Sequence, residues 1–394
     1  MTLHPTFDTQ AHLRGIEASF PASEFAERQA RARAAINASG HEALIVTGPE
    51  TIYWLTGRQT AGYFAFQALI LPADGEPVLL VRQLELFGTL ANTYLSDVVT
   101  YQDADNPAEA LVDLLRQRGI AHPAVELAGW FLSPKLATEI TERLGVSSIA
   151  DGSQILPSLR MIKSAAELEA IRHAAGYAEA GMIAGIEACV EGANENAVAA
   201  DMLHAATRAG SEVMAMEPLV SSGPRSGLPH MTWRRRVLKA GDPLFLELAG
   251  SHARYHAALM RTVWMGTPPD EAQRMMSCSL WALDAALGEI RPGVSCAHVH
   301  DTAQALIDDA GYTAAFRKRI GYSMGVAFAP DWGEGAILSL FSNVTRIIEP
   351  GMVFHLPATL RHYGEWTVGA SETVIVTENG AEPLSTLPRQ MTIR

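Results

Sequence analysis

Gly241-Asp242-Pro243-Leu244-Phe245-Leu246-Glu247-Leu248-Ala249-Gly250, then Arg254-Tyr255-His256-Ala257-Ala258-Leu259-Met260-Arg261-Thr262, has the pattern of two strands joined by a short turn. Pro243–Ala249 and Ala257–Met265 are β-rich runs, and the residues between them predict a hairpin turn, with His252 and His256 on either side of Arg254. Glu247 stands inside the first run. Around this hairpin lie further β-rich runs, Glu217–Ser221, Met352–Leu356 and Glu372–Val376. Helical patterns fall between them at Ala165–Ala184, Asn194–Ala209, Pro269–Leu287 and Ala297–Ala310. Ser164 is placed as an N-cap, and Glu167 three residues later completes a capping box. Long helices interleaved with antiparallel hairpins predict an α+β domain.

Upstream, helix and strand alternate. Ala26–Ala38 has helical spacing, and the apolar runs Ala43–Val46, Ile52–Leu55, Phe66–Leu71 and Val78–Arg82 follow. Asp74-Gly75 between the last two is a hairpin cue. Asn106-Pro107 opens a helix through Gln117 that Gly119 closes. This pattern predicts an α/β domain over residues 1–156, ahead of the α+β domain over 157–394. No Gly-x-Gly-x-x-Gly follows its strands, which speaks against a dinucleotide-binding fold.

With 30 Lys and Arg against 43 Asp and Glu, the 394-residue chain carries a formal charge of −13. General binding to nucleic acid or to an anionic membrane needs a basic face, and this balance argues against both. Cys189, Cys278 and Cys296 are scattered without a Cys-x-x-Cys pair, so neither a disulfide framework nor a Cys-built zinc site is expected. No apolar run approaches the length of a membrane span, and the first residues lack a signal-peptide pattern. A cytoplasmic, reducing compartment is the expectation.

Four motifs in order carry a family resemblance: the Glu247 hairpin, Gly321-Tyr322-Ser323-Met324-Gly325, Glu349-Pro350-Gly351-Met352-Val353-Phe354, and Glu372-Thr373-Val374-Ile375-Val376-Thr377. The set resembles the pita-bread enzymes, among them methionine aminopeptidase, prolidase, aminopeptidase P and creatinase, and the first half resembles the creatinase/prolidase N-terminal domain. The resemblance implies an α/β N-terminal domain plus an α+β pita-bread C-terminal catalytic domain, working as a homodimer. Metal-dependent members hold two divalent ions on Asp, Asp, His, Glu and Glu. Those positions map here onto Glu247, Ala258, Tyr322, Pro357 and Glu372. Alanine and proline side chains carry no donor atom and a neutral tyrosine is a poor ligand, so no metal and no other cofactor is expected.

The stretch Ser222–Trp233 keeps the family's catalytic histidine at His230, and Gly321–Gly325 continuing into Ala329-Pro330-Asp331-Trp332-Gly333-Glu334 resembles ectoine hydrolases more than peptidases; creatinase, of the same fold, also works without metal. The resemblance implies a metal-independent hydrolase opening a C–N bond of a small zwitterionic amidine or guanidine, ectoine first and creatine second. His230 would shuttle the proton, while Glu247 and Glu372 would converge on the substrate cation, one of them activating water or acting as nucleophile. Two facing carboxylates would repel and raise one pKa until a cationic substrate relieved them. Arg225 and Arg261 are candidates for the substrate carboxylate, Arg261 reading equally as a structural ion pair. Tyr63, Phe64, Tyr322, His355 and Trp332 complete the proposed pocket. The alternatives are an Xaa-Pro dipeptidase-like peptidase and a non-catalytic small-molecule-binding homologue.

Overall fold

The computed structural model describes residues 11–394 and divides into two compact units, the first ending at Leu159 and the second spanning Arg160–Arg394. In the first unit, α1 (Ala22–Ala38), β1 (Ala43–Val46), α2 (Pro49–Thr56), β2 (Ala68–Pro72), β3 (Val78–Arg82), β4 (Val98–Tyr101), α3 (Pro107–Gln117), β5 (Ala124–Val125), α4 (Pro134–Leu144) and β6 (Ala150–Asp151) follow in order. The strands form one sheet in the order β4-β3-β2-β1-β5-β6. β1, β2 and β3 pair antiparallel, while the outer pairs are parallel. The β2–β3 hairpin turns through Gly75, whose φ of 116° lies in the region that glycine enters without a Cβ clash. Asn106 caps α3 by accepting from the Ala108 and Glu109 amides, and Pro107 sits in the first turn. The apolar run Ile52–Leu55 is helical, set off by Gly48-Pro49 at its start and left-handed Gly57 at its end.

The second unit contains α5 (Ala165–Ala188), α6 (Glu195–Ala209), β7 (Leu219–Ser222), β8 (Pro243–His252), β9 (Tyr255–Trp264), α7 (Asp270–Glu289), α8 (Cys296–Asp309), β10 (Gly321–Ser323), β11 (Ser339–Leu340), β12 (Val353–His362), β13 (Trp366–Thr377), β14 (Gly380–Pro383) and β15 (Thr392–Ile393). Two sheets result, ordered β15-β9-β8-β7 and β11-β10-β12-β13-β14. The Ser164–Glu167 capping box at the start of α5 forms as the sequence predicts. β8 and β9 pair antiparallel from Pro243↔Trp264 to His252↔Tyr255, around a two-residue turn in which Ala253 and Arg254 both have positive φ. That turn is fastened from outside. The Ala253 amide donates to Glu212 Oε2, the Arg254 carbonyl accepts from the Ala327 amide, and the Arg254 guanidinium lies 4.4 Å from the Phe328 ring centroid.

Strand alternation then sorts the side chains. On β8, Leu244, Leu246 and Leu248 pack into a core with Ala178, Met182 and Met202 of α5 and α6. On β12, Leu356, Ala358 and Leu360 pack with Met276, Ala282 and Val299 of α7 and α8. The intervening residues of both strands face the other way. Helix α5 lies so close to β8 that a Cβ on Gly250 would stand 2.1 Å from the Ala174 carbonyl oxygen. Glu334, past the end of β10, is buried with Lys163 (Nζ to Oε2, 3.0 Å) and Arg160, and Lys163 also reaches Ser323 of β10. This cluster holds the strand that carries Tyr322.

Candidate active site

The residues left over by that alternation enclose a cavity of about 550 Å³. Phe245 and Glu247 come from β8, Tyr322 from β10, and Pro357, Thr359 and Arg361 from β12. His230, Arg317, Lys318, Arg319 and Tyr363 reach it from loops. Residues two apart on a strand share a face, which is why Phe245 with Glu247, and Pro357 with Thr359 and Arg361, line it together.

Loop geometry presents His230. Its φ is 56°, a left-handed conformation unusual for a histidine. The loop is anchored at its base by the buried Glu195 carboxylate, which accepts from the Ser222 amide (2.9 Å), the Ser222 hydroxyl (2.7 Å), the Arg234 amide (2.6 Å) and the Arg225 guanidinium (2.6 Å to Oε2). Nearer His230, Gly227 touches the turn between β12 and β13. A Cβ there would come within 2.5 Å of the Glu365 nitrogen.

Glu247 is the cavity's carboxyl group. Burial pushes its pKa up, nearby Asp331 adds to that, and the charges of Lys318 and Arg361 oppose it. Lys318 is displaced in the opposite sense, downward, by burial and then by Arg361. Tyr322 joins a row of polar contacts. Trp332 Nε1 donates to its hydroxyl at 3.0 Å, the hydroxyl meets His355 Nδ1 at 2.9 Å, and His355 Nε2 meets Ser371 Oγ at 2.7 Å. Burial drives His355 down to about 3, so its imidazole is neutral, and drives Tyr322 upward, so its hydroxyl keeps its proton at neutral pH.

The expected convergence of Glu247 and Glu372 is corrected. In the β12–β13 ladder Pro357 pairs with Ser371, and Glu372 pairs with Leu356 on the opposite face. A one-residue slip along a strand exchanges faces, and here it places Ser371, not Glu372, beside Pro357. Glu372 instead forms an ion pair with Arg261, 2.9 Å apart, and both side chains are 1% exposed. Arg261 also donates to the carbonyls of Met260, Ser371, Leu387 and Pro388. It is therefore a structural residue rather than a carboxylate clamp. Arg225 is likewise committed to Glu195 and lies outside the cavity lining. The raised pKa of Glu247 comes from burial and not from a facing glutamate.

His355 and Trp332 stand behind Tyr322 rather than in the lining. Tyr63 and Phe64 belong to the first unit, where Tyr63 packs edge-on against Phe131 with centroids 5.7 Å apart and Phe64 is 78% exposed. His256 is buried, donating from Nδ1 to the Arg254 carbonyl and accepting at Nε2 from the Ala215 amide, and burial lowers it to about 4. The cationic lining of Lys318, Arg319 and Arg361 was missed. The sequence did carry a signal, in the run Arg317-Lys318-Arg319 beside the Gly321–Gly325 motif and in the i, i+2, i+4 spacing of Pro357, Thr359 and Arg361.

A family model for metallopeptidase family M24 matches residues 169–378, and one for the creatinase/prolidase N-terminal domain matches residues 28–162. The chain belongs to metallopeptidase family M24. Among curated relatives, an ectoine hydrolase from Halomonas elongata is 29% identical over 95% of this chain and 98% of its own length. Among solved structures of M24-type folds, the dipeptidase PepE from Mycobacterium ulcerans superposes with a TM-score of 0.82 at 29% identity, covering 95% of this chain and 99% of that one. The prolidase from Pyrococcus horikoshii OT3 gives the same TM-score at 20% identity, covering 93% and 99%. The fold of this M24 member is thus an α/β N-terminal domain followed by a pita-bread domain, and the chain is a hydrolase of that family.

Metal-dependent family chemistry needs a dinuclear donor set, and the residues present do not fit one. Glu247, Ala258, Tyr322, Pro357 and Ser371 supply one carboxylate among five positions, since the register removes Glu372 from the set. Among the described residues no three His, Cys, Asp or Glu side chains gather as metal ligands would. Among them, too, no helix is long and apolar enough to cross a membrane.

Proposed function

We propose that this M24 member is a metal-independent hydrolase that opens a C–N bond in a small amidine or guanidine bearing a carboxylate, ectoine-type ring opening being the leading reaction and creatine hydrolysis the second. The observation behind this reading is that Glu247 is the one carboxyl group left at the family metal positions, which otherwise hold Ala, Tyr, Pro and Ser, and that it lines one cavity with His230 and Tyr322.

In this reading Glu247 pairs with the substrate amidinium and takes a proton from water as the water oxygen bonds to the amidine carbon. Its raised pKa makes it a stronger base than an ordinary carboxylate. His230 delivers a proton to the nitrogen as the C–N bond breaks, and the proton held by Glu247 returns to solvent. The Tyr322 hydroxyl, still protonated, donates toward charge developing at the reacting carbon's substituents. Glu372 and Arg261 take no part in the chemistry. We also propose a homodimer, as the family resemblance implies.

A peptidase reading draws support from the likeness to the PepE dipeptidase. Proton NMR of the protein with ectoine, hydroxyectoine, creatine and an Xaa-Pro dipeptide separates the two. Turnover of an amidine or guanidine supports the proposal, and cleavage confined to the dipeptide overturns it.

A further inference from the structure

The cavity's charge goes beyond what a monocarboxylate zwitterion needs. Arg317, Lys318, Arg319 and Arg361 line it against the single carboxyl group of Glu247. Among the described residues, none of the four cations has a carboxylate partner at ion-pair distance. Lys318 Nζ donates to Thr359 Oγ1 at 2.7 Å and has two further hydrogens to give. The Arg361 Nε–H is buried without a hydrogen-bond acceptor. Arg361 and Thr359 share one face of β12, so Lys318 and Arg361 flank Thr359 as one group. Arg319 has different neighbours, although its charge, like that of Arg361, helps to depress Lys318. Its guanidinium is 4.7 Å from the Tyr322 ring centroid and lies against Gly335, where a Cβ would stand 2.4 Å from a guanidinium nitrogen. Among the described residues, none accepts a hydrogen bond from its guanidinium.

Arg317 is exposed while Lys318, Arg319 and Arg361 are half-buried. Half-buried cations without partners carry a desolvation cost, and a guanidinium is best satisfied by a carboxylate in its plane. We infer that this cavity binds a substrate carrying two separate carboxylates, one held by Lys318 and Arg361 and the other by Arg319, with the C–N bond to be broken lying toward Glu247 and His230. Ectoine and creatine, with one carboxylate each, would leave one of these groups unmatched. The inference rests on the proposed reading of this cavity as the substrate site. It adds that amidines or guanidines of dicarboxylic amino acids are the better-matched class.

Calorimetric titration of the full-length protein with glutarate, butyrate and inorganic phosphate at one ionic strength tests this without requiring turnover. The expected result is at least tenfold tighter binding of glutarate than of butyrate or phosphate. That preference should fall at least tenfold in both R361Q and R319Q, with R361K retaining part of it. Equal binding of glutarate and butyrate by the wild type overturns the inference, whatever the variants do. Tighter phosphate than glutarate overturns it as well, since it would mean one compact anion site. Glutarate binding that neither substitution weakens places the anions elsewhere and also overturns it. If the glutarate preference holds while no amidine or guanidine is turned over, the reaction class falls and the two-carboxylate site stands. If turnover is found without the preference, the reverse holds.

Discussion

Glu372 and Arg261 form an ion pair 2.9 Å long on the face of the sheet turned away from the cavity, and neither side chain is more than 1% exposed. Ala370, Val374 and Val376, which share a strand face with Glu372, pack into the apolar core, so the glutamate sits among them as a structural acid. Removing one member of a buried pair leaves the other charge uncompensated, which costs about 3–5 kcal/mol. Glu372→Ala should therefore lower stability by roughly that amount while turnover per folded molecule stays within about threefold of wild type. Urea denaturation and kinetics on the same preparation check this. Full stability with activity lost would return Glu372 to the chemistry.

Glu247 behaves in the opposite way. Its folded-state pKa is raised by burial, so the folded protein holds its proton more tightly than the unfolded chain does. The corresponding stability is present below the unfolded pKa near 4.5 and is lost as pH rises through the folded value. At pH 8 the ionised group is thus a burden on the fold. Glu247→Gln should reduce kcat by about 10²–10⁴-fold while leaving the thermal midpoint at pH 8 unchanged or higher. A large loss of midpoint in this variant would assign Glu247 a structural role.

The buried imidazoles of His256, His355 and His300, each lowered chiefly by burial, weaken the fold toward acid. His256 is lowered to about 4 and His355 to about 3. The unfolded chain binds these protons first as pH falls below 6.5, so stability is lost from there down to the folded values. Each group adds a slope of at most about 1.4 kcal/mol per pH unit. Urea midpoints taken from pH 7.5 to pH 5 should fall, and His256→Gln should flatten the fall even though it weakens the protein at pH 7.5. An unchanged slope in that variant would mean that His256 is not the group titrating.

Much of the fold was legible because its signals are local. The Ser164–Glu167 box, the Asn106-Pro107 helix start and the Asp74-Gly75 turn each depend on residues within a few positions of one another, and each forms as read. The hairpin holding Glu247 was equally clear. The site was less legible where it depends on face or on distant partners. Glu372 and Ser371 are adjacent in sequence, and only the pairing of Pro357 with Ser371 decides which of them faces the cavity. Arg225 looks available in the sequence, yet the Glu195 that claims it is thirty positions away. Lys318 meets Thr359 across forty-one positions. No spacing rule connects such residues. The run Arg317-Lys318-Arg319 and the alternation of Pro357, Thr359 and Arg361 were the local clues to the cationic lining.

Glu247 and His230 hydrolyse a C–N bond without a metal centre in the function proposed for this protein. That function is tested most directly by following ectoine and an Xaa-Pro dipeptide by proton NMR, with protein dialysed against chelator and then titrated with manganese, cobalt or zinc. Turnover of ectoine should stay within about twofold across the titration and drop by about 10²–10⁴-fold in His230→Ala. Dipeptide cleavage that appears only as metal is added, with ectoine untouched throughout, would contradict the proposed function.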